Sequence, residues 1–230
     1  MLSPDEWQAL RTSLVVGARA VAFALPLALA AAWLLARRRF PGRTLFDALV
    51  HVPLVLPPVV VGYALLLLFG ARGPLGGWLQ QTFGTQLVFS SAGASLAAGV
   101  MAFPMMVRAI RLSLDAIDPG LELAARSLGA RGLDRFITIT LPLALPGLIA
   151  AAIVGFAICL GEFGAVITFA ASIPGETQTL PLAIYGALQT PGGESTALRL
   201  ALLSLGIALT ALLLAEALGR WARRWSARPG

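Results

Sequence analysis

The chain has 230 residues, of which 58% are hydrophobic and 12% are charged. Soluble domains carry about twice that share of charged residues, so the composition argues against a soluble protein. Several apolar runs reach the roughly 18 residues that a membrane-spanning helix needs. All 17 basic residues are arginines, and their placement beside apolar runs explains the net charge of +6 better than a nucleic-acid partner does. We expect one domain, residues 1–230, with an all-α polytopic membrane fold.

Five apolar stretches are long enough to cross a bilayer. The first follows residues 3–12, which we predict to be a short amphipathic helix. Ser3 is its N-cap, and Glu6 completes a capping box. The predicted spans cover approximately residues 13–36, 46–69, 91–113, 141–170 and 197–219.

Prolines interrupt the second span near its start. Pro53, Pro57 and Pro58 remove backbone hydrogen-bond donors and disturb the helix. Such a break survives in a membrane only where protein or water satisfies the freed carbonyl groups. This part of the span is therefore expected to pack inside the bundle or near a pathway. His51, the only histidine, is interpreted as structural rather than as a proton relay.

Two connecting segments, 70–90 and 171–196, are polar and rich in turn residues. Within the second of them, Leu180 to Leu188 forms an apolar stretch that Pro181 starts as a helix. Nine residues are too few to span a bilayer. We expect a short interfacial or re-entrant helix on the outer side.

The arginines are distributed asymmetrically about the predicted spans. Segments 37–43, 108–135 and 220–228 contain 13 of the 17. Because short cytoplasmic loops carry an excess of basic residues, the N-terminus is predicted outside and the C-terminus inside. The polar loop 118–142 is then cytoplasmic, and Trp221 and Trp225 of the basic tail lie at the membrane interface.

The loop 118–142 begins with a complete set of helix signals. Asp118 is a predicted N-cap and Pro119 the first helical residue. Glu122 faces Arg126 one turn later, and Gly129 supplies a left-handed stop. One face of this short helix carries small or apolar residues: Leu121, Ala124, Ala125 and Leu128. The composition alone leaves open whether this helix binds a partner or lies on the membrane surface.

The same loop resembles the EAA loop of ABC importer permeases. The resemblance rests on Ala124-Ala125, Gly129 after three further residues, and the sequence Ile139-Thr140-Leu141-Pro142 after nine more. The family has glutamate directly before the two alanines, whereas this chain has Leu123 there and Glu122 one position earlier. The resemblance implies a type I importer permease fold, and a coupling helix that is held in a groove of an ATP-binding subunit.

Further stretches resemble the permeases of molybdate importers, namely residues 51–63, 103–115, 160–185 and 189–195. Together with the EAA-like loop they cover nearly the whole chain. The resemblance implies a homodimer in a bacterial inner membrane, with two ATP-binding subunits and a periplasmic or extracellular oxyanion-binding protein. ATP and Mg²⁺ would be held by the partner subunit, with no cofactor on this chain. Tungstate and sulfate, which are also tetrahedral dianions, remain alternative substrates.

We expect parts of the second and fourth spans, and the inner ends of the third and fifth, to line the translocation pathway or gate. The candidates are Pro57, Pro58, Gly161, Glu162, Gly164 and Thr168. Three interpretations of Glu162 stay open: a structural cap or hydrogen bond that holds the span against segment 174–190, a gate element, or a proton-coupling site.

The chain lacks the sequence signals of an enzyme. It has no GxxxxGK[ST] motif for ATP, one histidine, one cysteine and no metal-ligand spacing, so neither catalytic nor metal-binding residues are predicted. A passive anion channel is the alternative of a different class, but a channel does not need an EAA-like loop. A membrane scaffold would show no substrate-linked phenotype.

Overall fold

The computed structural model describes the backbone of residues 3–226 and, within it, all side chains except those of residues 122, 212, 215, 216 and 218–226. Trp221, Trp225 and the arginines of the basic tail lie outside the described side chains. The helices are α1 (Pro4–Arg37), α2 (Arg43–Val55), α3 (Pro58–Phe69), α4 (Pro74–Phe83), α5 (Ser91–Asp115), α6 (Pro119–Ser127), α7 (Gly132–Arg135), α8 (Leu141–Gly161), α9 (Gly164–Ala170), α10 (Leu180–Leu188) and α11 (Glu194–Ser226), with a π-helical turn (Phe136–Thr140) between α7 and α8.

Four of the described helices are long and apolar enough to cross a membrane, and the bent pair α2–α3 brings the number to five if it counts as one span. The first span differs from the prediction, because residues 3–12 and 13–36 form one continuous helix, α1. The capping box is confirmed: the Ser3 hydroxyl accepts a hydrogen bond from the Glu6 amide, and the Glu6 carboxylate accepts one from the Ser3 amide. No residue between them and the apolar run favours a helix stop, so the helix continues.

The second span is divided into two helices rather than being one helix over 46–69. Helices α2 and α3 meet at an angle of 117° across Leu56 and Pro57. Both residues precede a proline, and a following proline disfavours the α conformation. Their ψ angles of 142° and 136° are extended, as this effect requires. Pro53, by contrast, lies inside α2 and does not end it.

The fourth span is also divided, where the sequence predicted one helix over 141–170. Helix α8 ends at Gly161, Glu162 is extended with ψ 127°, and α9 restarts at Gly164. At its other end the helical path begins earlier than predicted, since α7 and the π-helical turn lead directly into α8. Within residues 3–226, two spans are therefore broken, and their short second halves, α3 and α9, pack against each other.

The core forms where α1, α5 and α8 pack together. Its buried positions are dominated by alanine, which allows close approach of the helices. Two glycines of α8 lie where the neighbouring helix leaves no room for a side chain. A Cβ on Gly155 would lie 2.6 Å from Met106 Sδ, and one on Gly147 would collide with Ser113. Gly161 differs from them, because nothing lies within 4 Å of the Cβ position there.

One of the two connecting segments is more ordered than the sequence indicated, and the other contains the helix that the sequence predicts. Segment 70–90 contains the helix α4, which ends at Gly84 with a left-handed φ of 64°. Helix α10 has the predicted bounds. The Leu180 amide donates a 2.6 Å hydrogen bond to the buried Ser13 hydroxyl, which attaches α10 to α1. At the same end of the molecule, Arg199 of α11 pairs with the buried Glu6 at 2.9 Å.

Candidate functional site

Helix α6 is an independent, capped unit between two spans. The Asp118 carboxylate accepts a 2.8 Å hydrogen bond from the Gly120 amide at the N-terminus. At the other end Gly129 has a φ of 83°. Its amide bonds to the Arg126 carbonyl, and the Ala130 amide bonds to the Ala125 carbonyl, which is the pattern of a Schellman motif. The predicted helix start and stop are both confirmed.

The apolar residues of α6 are not covered by the rest of the molecule. Leu121, Leu123 and Leu128 are 47%, 62% and 88% exposed. Ala124 and Arg126 are also exposed, and the side chain of Glu122 is outside the described part of the chain. The helix packs mainly on α7 and the π-helical turn, and Ala125 at its centre is half-buried. A capped helix that exposes three leucines fits a surface that another protein covers.

The end of the EAA-like loop leads directly into α8. Ile139 lies in the π-helical turn and is half-buried, as is Leu141, the first residue of α8. Pro142 follows in the first turn of α8. Residues 128–131 connect α6 to α7, and from α7 the chain continues through the π-helical turn into α8.

The two span breaks bring several of the predicted pathway residues together. A Cβ on Gly164 of α9 would lie 2.7 Å from the Pro58 side chain at the start of α3. One turn further along α9, Thr168 packs on Gly62, a residue that the sequence interpretation did not select. A Cβ on Gly62 would lie 2.8 Å from Thr168 Cβ and 2.7 Å from the Ala165 carbonyl oxygen. Gly161 does not take part in this contact.

The α2–α3 break lies at the molecular surface. Pro57 and Pro58 are exposed, as are the large side chains around them: Val55, Leu56, Val59, Val60 and Tyr63. The opposite face of α3 is buried against α9 through Val61, Gly62 and Leu65. The break thus has one face fixed within the protomer and one apolar face open to lipid or to another subunit.

Glu162 lies in the second break and is 8% exposed. Its carboxylate accepts a 2.9 Å hydrogen bond from the Ala165 amide, so it caps the start of α9. This geometry agrees with the capping interpretation, although the bond is made to the backbone of α9 rather than to segment 174–190. The gate and proton-coupling interpretations of Glu162 stay predictions.

We expect Glu162→Gln to keep uptake within about threefold of the unmodified chain, because a glutamine oxygen still accepts the Ala165 hydrogen bond. Glu162→Leu removes the acceptor, and loss of a buried hydrogen bond costs about 1–3 kcal/mol. We therefore expect that variant to melt at a lower temperature and to lose most uptake. Thermal unfolding in detergent and uptake by proteoliposomes measure the two effects. Loss of uptake in a stable Glu162→Gln variant would instead favour a proton-coupling role.

Polar contacts between α2 and α5 were not anticipated from the sequence. Arg111 lies 3.2 Å from Asp47 and 3.7 Å from Asp115, and His51 Nδ1 lies 2.8 Å from the Asp47 carbonyl oxygen. His51 therefore has the structural surroundings that the sequence interpretation proposed for it. The sequence could have indicated the contacts within each helix, because Asp47 and His51, like Arg111 and Asp115, are four residues apart. It could not indicate the pairing of Asp47 with Arg111, which are 64 residues apart.

Known proteins with similar sequences are transport permeases. The chain is 54% identical over 228 residues to the molybdenum transport system permease protein ModB of Escherichia coli (strain K12), covering 99% of this chain and 100% of that protein. It is 52% identical over 215 residues to ModB of Haemophilus influenzae, covering 94% of each chain.

The fold is shared with a more distant ABC transporter. A bacterial alginate ABC transporter, solved in complex with its periplasmic protein, matches with a TM-score of 0.75 at 16% identity. The match covers 95% of this chain and 79% of that one. Residues 24–224 match the model of the family described as "binding-protein-dependent transport system inner membrane component". The chain therefore belongs to this family of multi-pass, binding-protein-dependent transport permeases.

Proposed function

We propose that the chain is the transmembrane subunit of an ATP-driven importer that carries molybdate across the inner membrane. The observation that carries the substrate assignment is 54% identity over the full length of a molybdenum transport permease. A tetrahedral dianion must pass without being trapped. The few charges in the described spans fit transient contacts with hydroxyl groups, backbone amides and water rather than a deep cationic site.

Helix α6 is the proposed coupling helix to a separate ATP-binding subunit. Its two caps make it rigid, its leucines are exposed, and Ala124 and Ala125 leave room for a partner's surface to approach. These features support a helix that is held in a groove of the ATPase. The short connection through the π-helical turn gives α6 a direct mechanical path to α8.

The proposed assembly contains two copies of this chain, two ATP-binding subunits and an external oxyanion-binding protein. A two-fold axis between copies supplies a closed pathway that five spans in one chain do not enclose. The exposed apolar face at the α2–α3 break supports a neighbour at this position. The arginine distribution supports an orientation with the N-terminus outside and the C-terminus inside.

Alternating access is proposed to use the two span breaks as hinges. Helices α3 and α9 are short, packed on each other, and separated from α2 and α8 by extended residues. ATP-driven closure of the ATPases would move α6, α8 and then the α3–α9 pair. A few extended residues at the ends of rigid elements are the usual location of such hinge motions.

Uptake of labelled molybdate, tungstate and sulfate by the reconstituted complex tests this assignment. We expect ATP-dependent uptake with molybdate and ATPase activity that rises when the loaded binding protein is added. Saturable uptake of sulfate alone would transfer the assignment to a sulfate importer. Anion flux that continues without ATP would identify a passive channel.

A further inference from the structure

A cavity of about 900 Å³ separates α1 from the loop that contains α6 and the π-helical turn. Its lining has two parts. Four of the lining residues are arginines, two at the end of α1 and two on helices α6 and α7: Arg37, Arg38, Arg126 and Arg135. The remainder is largely apolar, with Pro26, Leu29 and Trp33 on α1 facing Leu133 and Phe136. No acidic side chain is among the described residues that line it.

Aromatic contacts join the two sides of the cavity near its arginines. Arg38 lies 5.2 Å from the centre of the Trp33 ring, and Trp33 makes an edge contact with Phe136 across the cavity. Among the described residues, no carboxylate lies within ion-pair distance of Arg38, Arg126 or Arg135. The only acidic residue of α6 is Glu122, whose side chain is outside the described part. One carboxylate cannot neutralise the combined positive charge of Arg38, Arg126 and Arg135.

The apolar end extends into the depth of the membrane. From Arg37 to Pro26 the helix α1 rises about 16 Å, at 1.5 Å per residue. One leaflet contributes about 15 Å to a bilayer core of about 30 Å. The cavity thus begins at the charged end of a spanning helix and continues along that helix for approximately the depth of one leaflet.

We propose that this cavity binds an anionic phospholipid, with its phosphate at Arg38, Arg126 and Arg135 and an acyl chain along Leu29 and Trp33. A soluble anion would leave the apolar part unfilled, and an acidic protein segment would have to enter the bilayer. Basic pockets between transmembrane helices are suited to lipid headgroups. The lipid proposal depends on α1 and α8 crossing the membrane, but it does not depend on molybdate being the substrate.

A lipid at this position would connect the α6 loop to α1. Helix α6 itself packs mainly on α7 and the π-helical turn, so α6 has little direct support from the spanning helices. The headgroup would bridge Arg126 of α6 and Arg135 of α7 to Arg38, at the end of α1. The lipid would then determine how firmly the coupling helix is positioned.

Quenching by brominated lipids tests the site in the full-length chain. Trp33 is kept as the only tryptophan by replacing the other four with phenylalanine, and the protein is placed in bilayers containing dibrominated phosphatidylglycerol or dibrominated phosphatidylcholine. We expect phosphatidylglycerol to quench Trp33 with an apparent affinity about tenfold higher. Equal quenching by the two lipids would overturn the proposal.

Matched variants distinguish lipid binding in the cavity from lipid attraction to positive charge elsewhere on the surface. Arg126→Gln with Arg135→Gln should remove the preference, whereas Arg11→Gln with Arg72→Gln, outside the cavity, should leave it. Arg126→Lys with Arg135→Lys should retain most of it, which distinguishes charge from misfolding. A preference that survives the first pair of changes would refute the assignment.

Two further outcomes would identify a different occupant. Abolition of the preference by millimolar phosphate or molybdate would indicate a site for a soluble anion. Loss of quenching when the ATP-binding subunit joins the complex would indicate a protein contact. The quenching needs neither substrate nor ATP, so its failure leaves the importer assignment intact, and failure of uptake leaves the lipid result intact.

Discussion

Ala125→Arg is expected to reduce molybdate uptake by about two orders of magnitude while the permease remains folded. Ala125 is half-buried at the centre of α6, between the exposed leucines that we propose to contact the ATPase. A guanidinium group there separates the two surfaces or is buried without a partner, and an uncompensated buried charge costs about 3–5 kcal/mol. Uptake and ATPase activity measured together in proteoliposomes should show hydrolysis that no longer responds to the loaded binding protein.

Gly129→Pro should give the same uncoupled behaviour by a different route. Proline fixes φ near −65°, whereas Gly129 has a φ of 83° and ends α6. The matched control for Ala125→Arg is Gln81→Arg, because it adds the same charge to the exposed surface of α4. We expect this control to retain normal uptake and an unchanged melting temperature. Normal uptake by both Ala125→Arg and Gly129→Pro would reject the coupling role of α6.

Local signals predicted the helix ends well. The caps at Ser3, Asp118 and Gly129 depend on residues within one turn of each other, so the sequence contains all of the information that they need. The same holds for α10, which Pro181 starts and whose bounds agree with the prediction. Where the contacts that determine a helix end are local, the sequence predicts that end.

The geometry of the breaks was not readable in the same way. Pro57 and Pro58 predicted a disturbed helix, but the angle of 117° depends on how α3 packs against α9. No proline in the sequence indicates the second break, at Glu162. This break is stabilised by the hydrogen bond from the Ala165 amide to the Glu162 carboxylate. Helical periodicity continues through Gly161 and Phe163, and therefore predicted one span.

Contacts between distant residues account for the missed parts of the candidate site. The Asp47–Arg111 pair joins two helices, and the arginine-lined cavity combines residues from α1, α6 and α7. Each arginine was counted in assigning the orientation of the chain, but their convergence is a property of the tertiary structure. Gly62 was missed for the same reason, since a glycine in an apolar helix gives no sign of which surface approaches it.

Gly62→Ala is expected to lower uptake about tenfold and to reduce thermal stability, because it overpacks the contact between α3 and α9. The added Cβ would lie 2.7 Å from the Ala165 carbonyl oxygen and 3.0 Å from Ala165 Cα, both backbone atoms that cannot rotate away. Overpacking of this kind costs about 1–3 kcal/mol. Gly164→Ala, which meets Pro58 at 2.7 Å, should have a similar effect from the other side of the same contact.

Gly206→Ala in α11 is the matched control for the contact, since nothing lies within 4 Å of the Cβ position there. Alanine is favoured over glycine within helices by about 1 kcal/mol, so this control should melt at the same or a higher temperature. The comparison separates a general effect of losing glycine from the specific approach of α3 to α9. Normal transport by both Gly62→Ala and Gly164→Ala would show that α3 and α9 are not a tightly packed pair that moves as one body. The hinge mechanism would then have to be assigned to other elements.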